Sequence, residues 1–532
     1  MQKIFILFYF ISTISFSQSN NWWVYFSDKE CDTSINLSDK SLERRMRQNI
    51  KIDIHDYNIC QDYIDSLKIE GIVIRNYSKW LNAVSVSVKS ANILDKISSY
   101  SFVQYIQPVK KFINNHQITF KDVSFSNPLF RMTMSLPYGS SFNQIDMLGG
   151  VDLHNAGFLG DGVVIAVFDA GFKSVQTLPI FDNLWNNNQI LDTYDFVDND
   201  IDVFGGSSHG TMVLSTMGGY MADSLIGTSP EASYMLFRTE DSNSETLIEE
   251  DNWAAAAEYA DSAGVDIINS SLGYTILYDD TLNSHSYADM DGNSTIITKA
   301  ADLAASRGIL VVNSAGNSGS NDWYHIGAPA DGDSVLSVGA VNEFGEIASF
   351  SSRGPSYDGR IKPNVCAQGV LTVVADLDST IRVANGTSFS APIIAGLSAC
   401  LWGALSTDII NVDNMTLFQS IQQSAHLFQN PNDSLGYGIP NFYQAYLNSL
   451  SVSDDMNHIN IYPNPYVDKF SIYNYRYSKL KIDIFNNMGV LIFSKYINVE
   501  NSIIIIDELS SIIPGIYFIK INQSEAYPIV KQ

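Results

Sequence analysis

The sequence has few cysteines, few basic residues and, after its first residues, no run of 18 consecutive apolar residues. Four cysteines in 532 residues cannot form a disulfide framework, so a hydrophobic core must hold the fold together. Lysine and arginine total 31 against 57 aspartate and glutamate residues, a formal net charge of −26. This charge argues against nucleic acid or anionic membranes as partners and favours solubility outside the cell.

The N-terminus has the layout of a signal peptide. Met1-Gln2-Lys3 precedes an apolar run from Ile4 to about Phe16, and Ser15 and Ser17 are small residues at the cleavage positions. The run is too short to span a bilayer comfortably. We therefore predict a signal peptide at residues 1–17 and an exported protein, secreted or at the cell surface, without a transmembrane helix.

The cysteines fall into two pairs along the chain. Cys31 and Cys60 lie in the N-terminal part, and Cys366 and Cys400 lie more than 300 residues later. One disulfide within each pair is compatible with an oxidising compartment. The sequence establishes neither bond.

Ser388 lies at the predicted start of an apolar helix. Residues 385–392 read Asn-Gly-Thr-Ser-Phe-Ser-Ala-Pro, and residues 393–402 are mostly apolar. Pro392 suits a first helical turn, where its missing N–H would have no acceptor, and Gly386 lets the backbone approach closely. Because the free N–H groups and dipole of a helix N-terminus suit an oxyanion, Ser388 is a candidate nucleophile. An ordinary serine cap is the alternative.

Two upstream residues complement this serine. The apolar run 163–168 predicts a buried strand that ends in Asp169, and His209 opens a helical stretch. The carboxyl end of a strand is the usual place for chemistry in an open α/β sheet. A single Asp or His is more often structural, but together the residues give the order Asp169, His209, Ser388.

In this order, Asp-x-Gly at 169–171, His-Gly-Thr at 209–211, Ala-Gly-Asn at 315–317 and Gly-Thr-Ser-x-Ser-Ala-Pro at 386–392 resemble the motifs of subtilisin-like serine peptidases. The resemblance implies an α/β fold with a mostly parallel sheet and helices on both faces. It also implies that Ser388 attacks the peptide carbonyl, His209 takes its proton and Asp169 orients the imidazole. Asn317 and the Ser388 N–H would form the oxyanion hole.

The resemblance further implies that protein or peptide substrates bind as an extended strand. Gly327 matches the floor of the primary specificity pocket, where glycine predicts a roomy pocket for large apolar side chains. The remaining candidate substrate-binding residues form two facing walls: Ser271, Leu272 and Gly273 on one, and Ser314, Ala315 and Gly316 on the other.

No cofactor is expected, because the calcium ligands of classical subtilisins are not found at the aligned positions. The acidic run Asp195, Asp198, Asp200 and Asp202 offers oxygen ligands of the kind that calcium takes. A solvated loop is the interpretation that we favour.

Two further domains flank the predicted peptidase domain, residues 141–450. Residues 18–120 alternate strands and helices and resemble the inhibitory propeptides of subtilases, a permanent accessory domain being the alternative. Residues 121–140 would be a linker, and the polar stretch 110–141 is the expected processing region. Residues 451–532 predict a small β-sandwich that resembles the C-terminal sorting domains of type IX secretion in Bacteroidetes. Its alternative is a carbohydrate- or partner-binding sandwich.

Together these patterns favour a secreted serine endopeptidase made as a zymogen. Its own propeptide would inhibit it, and the type IX secretion machinery would deliver it. The competing hypothesis is a catalytically weak surface protein of the same fold that binds polypeptides or glycans.

Overall fold

The computed structural model describes residues 21–109, 136–408, 412–455 and 460–531 with short gaps, which are 30, 69–70, 91, 242–247, 276–284, 463–465, 468, 474–478, 487, 499–502, 507, 511 and 522–525. The predicted signal peptide and most of the predicted linker lie outside the described residues. Two compact units divide the chain: residues 1–403 with 413–443, and residues 404–412 with 444–532. Within the first unit, residues 21–109 are called here the N-terminal domain, and residues 136–403 with 413–443 the central domain.

The N-terminal domain is an antiparallel four-stranded sheet with three helices. Its elements are β1 (Asn21–Phe26), α1 (Asp39–Arg47), α2 (Gln61–Leu67), β2 (Ile72–Ser78), β3 (Ala83–Val88), α3 (Asn92–Ser98) and β4 (Val103–Val109). The strand order is β2-β3-β1-β4. Strand β3 begins at Ala83, directly after Asn82, which adopts a positive φ of 50° in the preceding turn. The expected alternation of strands and helices is present in the described residues of this domain.

The central domain contains most of the regular structure. Its helices are α4 (Phe142–Asp146), α5 (Gly150–Asn155), α6 (Asp182–Asn186), α7 (His209–Gly218), α8 (Ile248–Ala263), α9 (Ile296–Ser306), α10 (Thr387–Asp408), α11 (Asn414–Gln423) and α12 (Phe442–Asp455), of which α10 and α12 extend into the second unit. Its strands are β5 (Val164–Asp169), β6 (Ile190–Asp195), β7 (Tyr220–Met221), β8 (Leu225–Ile226), β9 (Ser233–Arg238), β10 (Ile267–Ser270), β11 (Leu310–Ser314), β12 (Val335–Val341), β13 (Val365–Gln368), β14 (Thr372–Ala375) and β15 (Ile381–Ala384).

Seven of these strands form one sheet of order β13-β12-β11-β10-β5-β9-β6, in which all neighbouring pairs are parallel. Strands such as β5 are buried along their whole length, as expected where both faces of a sheet are covered. Alanines of α8 and α9, including Ala254, Ala257 and Ala300, share one core with apolar residues of the sheet. The predicted α/β fold is confirmed, and the carboxyl ends of the parallel strands share one edge.

Helix α10 begins closer to the N-terminus than the position of Pro392 predicted. It starts at Thr387, so Pro392 is inside the helix rather than in its first turn. Residues Thr387–Ser406 are also long and apolar enough to cross a membrane. However, 94% of the qualifying window is buried inside the protein, as expected for the central helix of a core.

Of the two cysteine pairs seen in the sequence, one forms a disulfide and the other does not. Cys31 and Cys60, which are separated by 29 positions in the sequence, form a disulfide. Cys366 and Cys400 are buried free thiols, so the second potential disulfide does not form. Burial raises the pKa of the Cys366 thiol to about 12, which keeps it protonated and unreactive.

The N-terminal domain packs against α8 through buried polar groups. Glu258 of α8 accepts hydrogen bonds from Ser78 Oγ (2.5 Å) and from the Lys79 N–H (2.8 Å). Closer to the start of α8, Trp23 Nε1 donates to Asp251 Oδ1 (2.5 Å). Burial raises the pKa of Glu258 to about 7, so this interface contains a carboxyl group that titrates near neutrality.

The second unit contains two antiparallel sheets. The first has the order β16-β17-β20 and the second β19-β18-β21-β22. The strands are β16 (Asn460–Tyr462), β17 (Phe470–Tyr473), β18 (Lys479–Phe485), β19 (Leu491–Asn498), β20 (Ile503–Ile506), β21 (Gly515–Ile521) and β22 (Ala526–Lys531). Isoleucines of both sheets, such as Ile472 and Ile482, share one buried core. The predicted all-β character is confirmed, although α12 occupies the first residues of the predicted range.

Candidate active site

Asp169 and His209 are in direct contact at the carboxyl edge of the parallel sheet. Strand β5 ends at Asp169, and His209 is the first residue of α7. The His209 Nδ1 atom lies 2.9 Å from each carboxylate oxygen of the fully buried Asp169. A Cβ at Gly210 would lie 2.5 Å from the Gly171 carbonyl and 2.9 Å from Asp169 Cβ. Glycine after the histidine therefore allows α7 to approach β5 closely enough for this contact.

The environment of His209 favours its protonated form. Burial by itself lowers the pKa of the imidazole, but the charge of Asp169, its hydrogen bond and the charge of Glu240 outweigh burial and raise the pKa above 6.5. Sequence reasoning did not single out Glu240. A histidine held in this way by a carboxylate can accept a proton and keep it while a neighbouring group reacts.

Ser388 is near this pair but is turned away from it. The ring of Phe389, the next residue, lies 5.7 Å from the His209 ring. The Ser388 hydroxyl donates to the Ser271 carbonyl at 3.3 Å, and the described hydrogen bonds include none between Ser388 and His209. Catalytic contacts of this kind often tighten only when substrate binds. A change of the Ser388 side-chain rotamer would redirect its hydroxyl.

Asn317 is oriented by the start of α10. Its side-chain oxygen accepts hydrogen bonds from the Thr387 N–H (2.9 Å) and the Thr387 hydroxyl (3.1 Å). Because a backbone N–H can only donate, these contacts assign the oxygen and leave the NH₂ group to face elsewhere. Its Nδ2 atom would lie 3.7 Å from a Cβ at Gly386. The Ser388 N–H, in the first helical turn, has no acceptor within the helix and is a second donor near this position.

Ser271 compensates for the proline inside α10. A proline at position 392 cannot donate to the carbonyl four residues earlier, which is that of Ser388. The Ser271 hydroxyl donates to this carbonyl at 2.9 Å. Since the Ser388 hydroxyl donates back to the Ser271 carbonyl, the two serines exchange a pair of hydrogen bonds. The sequence predicts that Ser271 binds substrate, which stays a prediction. In the structure its hydroxyl supports the helix that carries Ser388.

The two predicted substrate walls are adjacent. The Leu272 carbonyl accepts hydrogen bonds from Asn313 Nδ2 (3.0 Å) and from Ser314 Oγ (3.4 Å). Asn313, which the sequence did not identify as a site residue, therefore helps to join the two walls. The Gly316 N–H donates to the Thr387 hydroxyl oxygen (3.2 Å). Gly273 is exposed, whereas Ala315 is completely buried. Binding of substrate by these residues stays a prediction.

Glycine at position 327 allows two segments of the chain to pack closely. A Cβ there would lie 2.7 Å from the Thr275 methyl group and 2.9 Å from the Tyr274 carbonyl. Tyr274 pairs with Ala328 in a short antiparallel bridge, which brings the two segments together. The roomy specificity pocket inferred from Gly327 stays a prediction, because this packing by itself accounts for the glycine.

The acidic run before α7 is held by an arginine. Arg238 Nη1 lies 2.6 Å from Asp195 Oδ2 and 2.7 Å from Asp198 Oδ2. The carboxylates of Asp200 and Asp202 accept from backbone N–H groups of the same loop. In the described part of the chain, no three His, Cys, Asp or Glu residues are grouped in a way that suits a metal ion.

Comparison with known proteins supports this assignment of the fold. The model of the subtilase family matches residues 160–438, just over half of the chain. The chain belongs to the subtilase family. The Bacteroidota propeptide domain of this peptidase family matches residues 21–122, and the secretion system C-terminal sorting domain matches residues 460–532.

Several relatives of this subtilase are bacterial. A thermophilic serine proteinase of Bacillus sp. (strain AK1) is 30% identical over 286 residues, which cover 53% of this chain and 61% of the relative. Subtilisin E of Bacillus subtilis (strain 168) is 31% identical over 271 residues, which cover 50% of this chain and 61% of the relative. Subtilisin of Bacillus pumilus is 30% identical over 271 residues, which cover 50% of this chain and 84% of the relative. The chain thus spans less than two thirds of the first two relatives.

The compensation of Pro392 by the Ser271 hydroxyl can be tested with a double-mutant cycle. Ser271→Ala leaves a buried carbonyl without a donor and should lower the free energy of unfolding by about 1–3 kcal/mol. Pro392→Ala restores a helical N–H to the same carbonyl, so the added loss from Ser271→Ala should be smaller in that background. Denaturant titration of the four proteins measures this coupling. Strictly additive losses would contradict the compensation.

Proposed function

We propose that this subtilase is a serine endopeptidase in which Ser388 is the nucleophile, His209 the general base and Asp169 the residue that orients His209. The contact between the His209 Nδ1 atom and the Asp169 carboxylate is the observation that carries the proposal. It leaves Nε2 of the imidazole as the atom that can take the Ser388 proton. The proton would pass from His209 to the leaving amine, and water would then hydrolyse the acyl-enzyme.

The oxyanion would bind between Asn317 Nδ2 and the Ser388 N–H. Thr387 supports this role because it engages the side-chain oxygen of Asn317 and thereby directs the opposite end of the amide away from itself. Removal of one such donor typically costs about 2.7–4 kcal/mol of transition-state stabilisation, a value measured on subtilisin. Polypeptides would be the substrates, bound along residues 271–273 and 314–316.

The N-terminal domain would inhibit the peptidase until it is removed. Its match to a propeptide domain and its buried contacts with α8 support this role. The competing hypothesis is a catalytically weak binding protein. One observation favours it: the Ser388 hydroxyl bonds to the Ser271 carbonyl rather than to His209.

A fluorophosphonate probe separates the two hypotheses. Protein freed of its N-terminal domain should be labelled at Ser388, because an activated serine attacks the probe, and Ser388→Ala should not be labelled. Ser390→Ala is the matched control, since this hydroxyl only donates to the Thr387 carbonyl in the same helix. Mass spectrometry of the labelled peptide measures the result. An unlabelled but folded wild-type protein would support the binding protein.

The pH dependence of kcat/KM tests His209 as the base. Activity should rise as His209 loses its proton, with a midpoint above 6.5 because Asp169 and Glu240 raise the pKa. Glu240→Gln should move this midpoint to lower pH, because it removes a charge that stabilises the imidazolium. Glutamine retains an acceptor for Tyr274, which donates to Glu240 at 2.5 Å.

Glu231→Gln provides the control for this shift. Glu231 is exposed and precedes β9, at the amino-terminal edge of the sheet, so the same loss of charge should leave the midpoint in place. A profile without a rise between pH 6 and pH 8, or equal midpoints for Glu240→Gln and the wild type, would count against His209 as the base.

The sorting domain implies secretion or attachment to the cell surface, and we propose that a signal peptide and the type IX machinery act in succession. Deletion of residues 456–532 should block surface delivery in a host with that machinery and leave probe labelling in cell extracts. Cell fractionation with immunodetection measures the distribution, against the full-length chain. Normal delivery of the truncated protein would refute the sorting role.

A further inference from the structure

The loop between β1 and α2 carries two arginines into the central domain. Arg44 and Arg45 of α1 are almost completely buried, and both bond to Asp261 in the last turn of α8. Arg44 Nη2 lies 2.5 Å from Asp261 Oδ1, and Arg45 Nη2 lies 2.7 Å from Asp261 Oδ2. One buried carboxylate thus binds two guanidinium groups.

Backbone carbonyls complete the site around Arg44. Its Nε atom donates to the Arg307 carbonyl (3.2 Å), Nη1 to the Val265 carbonyl, and Nη2 also to the Asp261 carbonyl (3.3 Å). The forked guanidinium matches this set of acceptors, whereas a lysine ammonium would reach only part of it. The site is therefore shaped for an arginine.

Further ion pairs between arginines and aspartates surround this site. Arg45 Nη1 lies 2.7 Å from Asp56, and Arg307 of the central domain lies 2.9 Å from Asp53. Three arginines (Arg44, Arg45 and Arg307) therefore face three aspartates (Asp53, Asp56 and Asp261), and each domain contributes both signs. Removing one of the buried members, such as Arg44, leaves an uncompensated buried charge on Asp261, which is strongly destabilising.

Two glycines in the central domain make room for α1. Gly264 and Gly308 end the turns that follow α8 and α9, with φ of 90° and 89°. A Cβ at Gly264 would lie 2.7 Å from Lys40 Cβ, and one at Gly308 would lie 2.7 Å from Gln48 Oε1. Gln48 also donates to the Gly308 carbonyl at 2.8 Å. Both ends of α1 thus contact these turns.

This contact is remote from the candidate active site. Val265 and Gly308 precede β10 and β11, so α1 lies at the amino-terminal edge of the parallel sheet. Asp169 and Ser271 lie at or beyond the carboxyl ends of their strands, on the opposite edge. The contact is also distinct from the hydrogen bond between Trp23 and Asp251. Along α8, Asp261 is ten residues from Asp251, a separation of about 15 Å in an α-helix.

The Cys31–Cys60 disulfide closes this loop. It joins the two ends of the segment that contains α1, Asp53 and Asp56. A dithiol would reduce the bond by supplying two electrons and two protons, giving two cysteine thiols and leaving the dithiol as its cyclic disulfide. Reduction would give the loop more conformations when undocked and so weaken its binding.

We propose that the disulfide-closed loop 31–60 is a second anchor of the N-terminal domain, built on Arg44 and Arg45. It keeps this domain on the amino-terminal edge of the sheet after the chain between the domains has been cut, and reduction of Cys31–Cys60 releases it. The proposal does not depend on peptidase activity.

The test uses the full chain with Ser388→Ala, which prevents self-cleavage, and a site for a sequence-specific protease inserted between residues 110 and 135. Cleavage is scored on a denaturing gel, and dissociation of the N-terminal fragment is followed by size-exclusion chromatography after dilution. The unreduced parent should stay associated. Arg44→Ala should dissociate at least about 100-fold faster, since an unpaired buried charge remains.

Two substitutions refine this result. Arg44→Lys should also dissociate faster, because it retains the charge but not the forked donors. Glu43→Ala is the matched control, since Glu43 is exposed on the same helix, and it should behave as the parent. Equal rates for Arg44→Ala and Glu43→Ala, or loss of the fragment from the parent on cleavage, would refute the anchor. If Arg44→Ala does not fold, Asp261→Asn replaces it with the same expected result.

Reduction tests the disulfide without a mutation. Dithiothreitol should speed dissociation of the cleaved parent at least about tenfold. The double variant Cys31→Ser, Cys60→Ser should dissociate as fast as the parent does in dithiothreitol, whether or not dithiothreitol is present. Its remaining cysteines, Cys366 and Cys400, are buried free thiols with no bond to reduce. An unchanged rate in dithiothreitol would refute the role of the disulfide.

Discussion

Parallel pairing of all seven strands gives the central sheet two chemically different edges. The carboxyl edge holds Asp169 at the end of β5, and α7 begins with His209 beside it. The amino edge is formed by the turns before β10 and β11, where carbonyls accept from Arg44. Because crossover helices return each strand to the same starting edge, the chemistry and the anchorage of the N-terminal domain are separated by the length of the strands.

The position of Ser388 follows from a defect in its own helix. Pro392 removes one helical hydrogen bond, and Ser271 replaces the missing donor. A carbonyl that belongs to the candidate nucleophile is thereby tied to the end of β10. Thr387 links the same helix start to Asn317, so the serine and the amide are held by one hydrogen-bonded cluster. Small displacements of α10 would therefore move both groups together.

Buried charge is concentrated where the N-terminal domain meets α8. Glu258 is bonded to residues before β3, and Asp261 is bonded to α1, one helical turn further along. These carboxylates are costly to bury and become favourable only with their partners in place. A surface of this kind selects one docking geometry.

Local sequence was enough to predict the strand and helix types, the order Asp169, His209, Ser388 and the three-part organisation, because short motifs and hydrophobic patterns carry these features. It did not place the start of α10 correctly or explain Gly327, since both depend on contacts with segments far along the chain. The tertiary structure alone decided that Ser271 supports α10, that only Cys31 and Cys60 are bonded, and that Arg44 meets Asp261 across 217 residues. Such pairings arise when folded elements dock, and no local pattern encodes them.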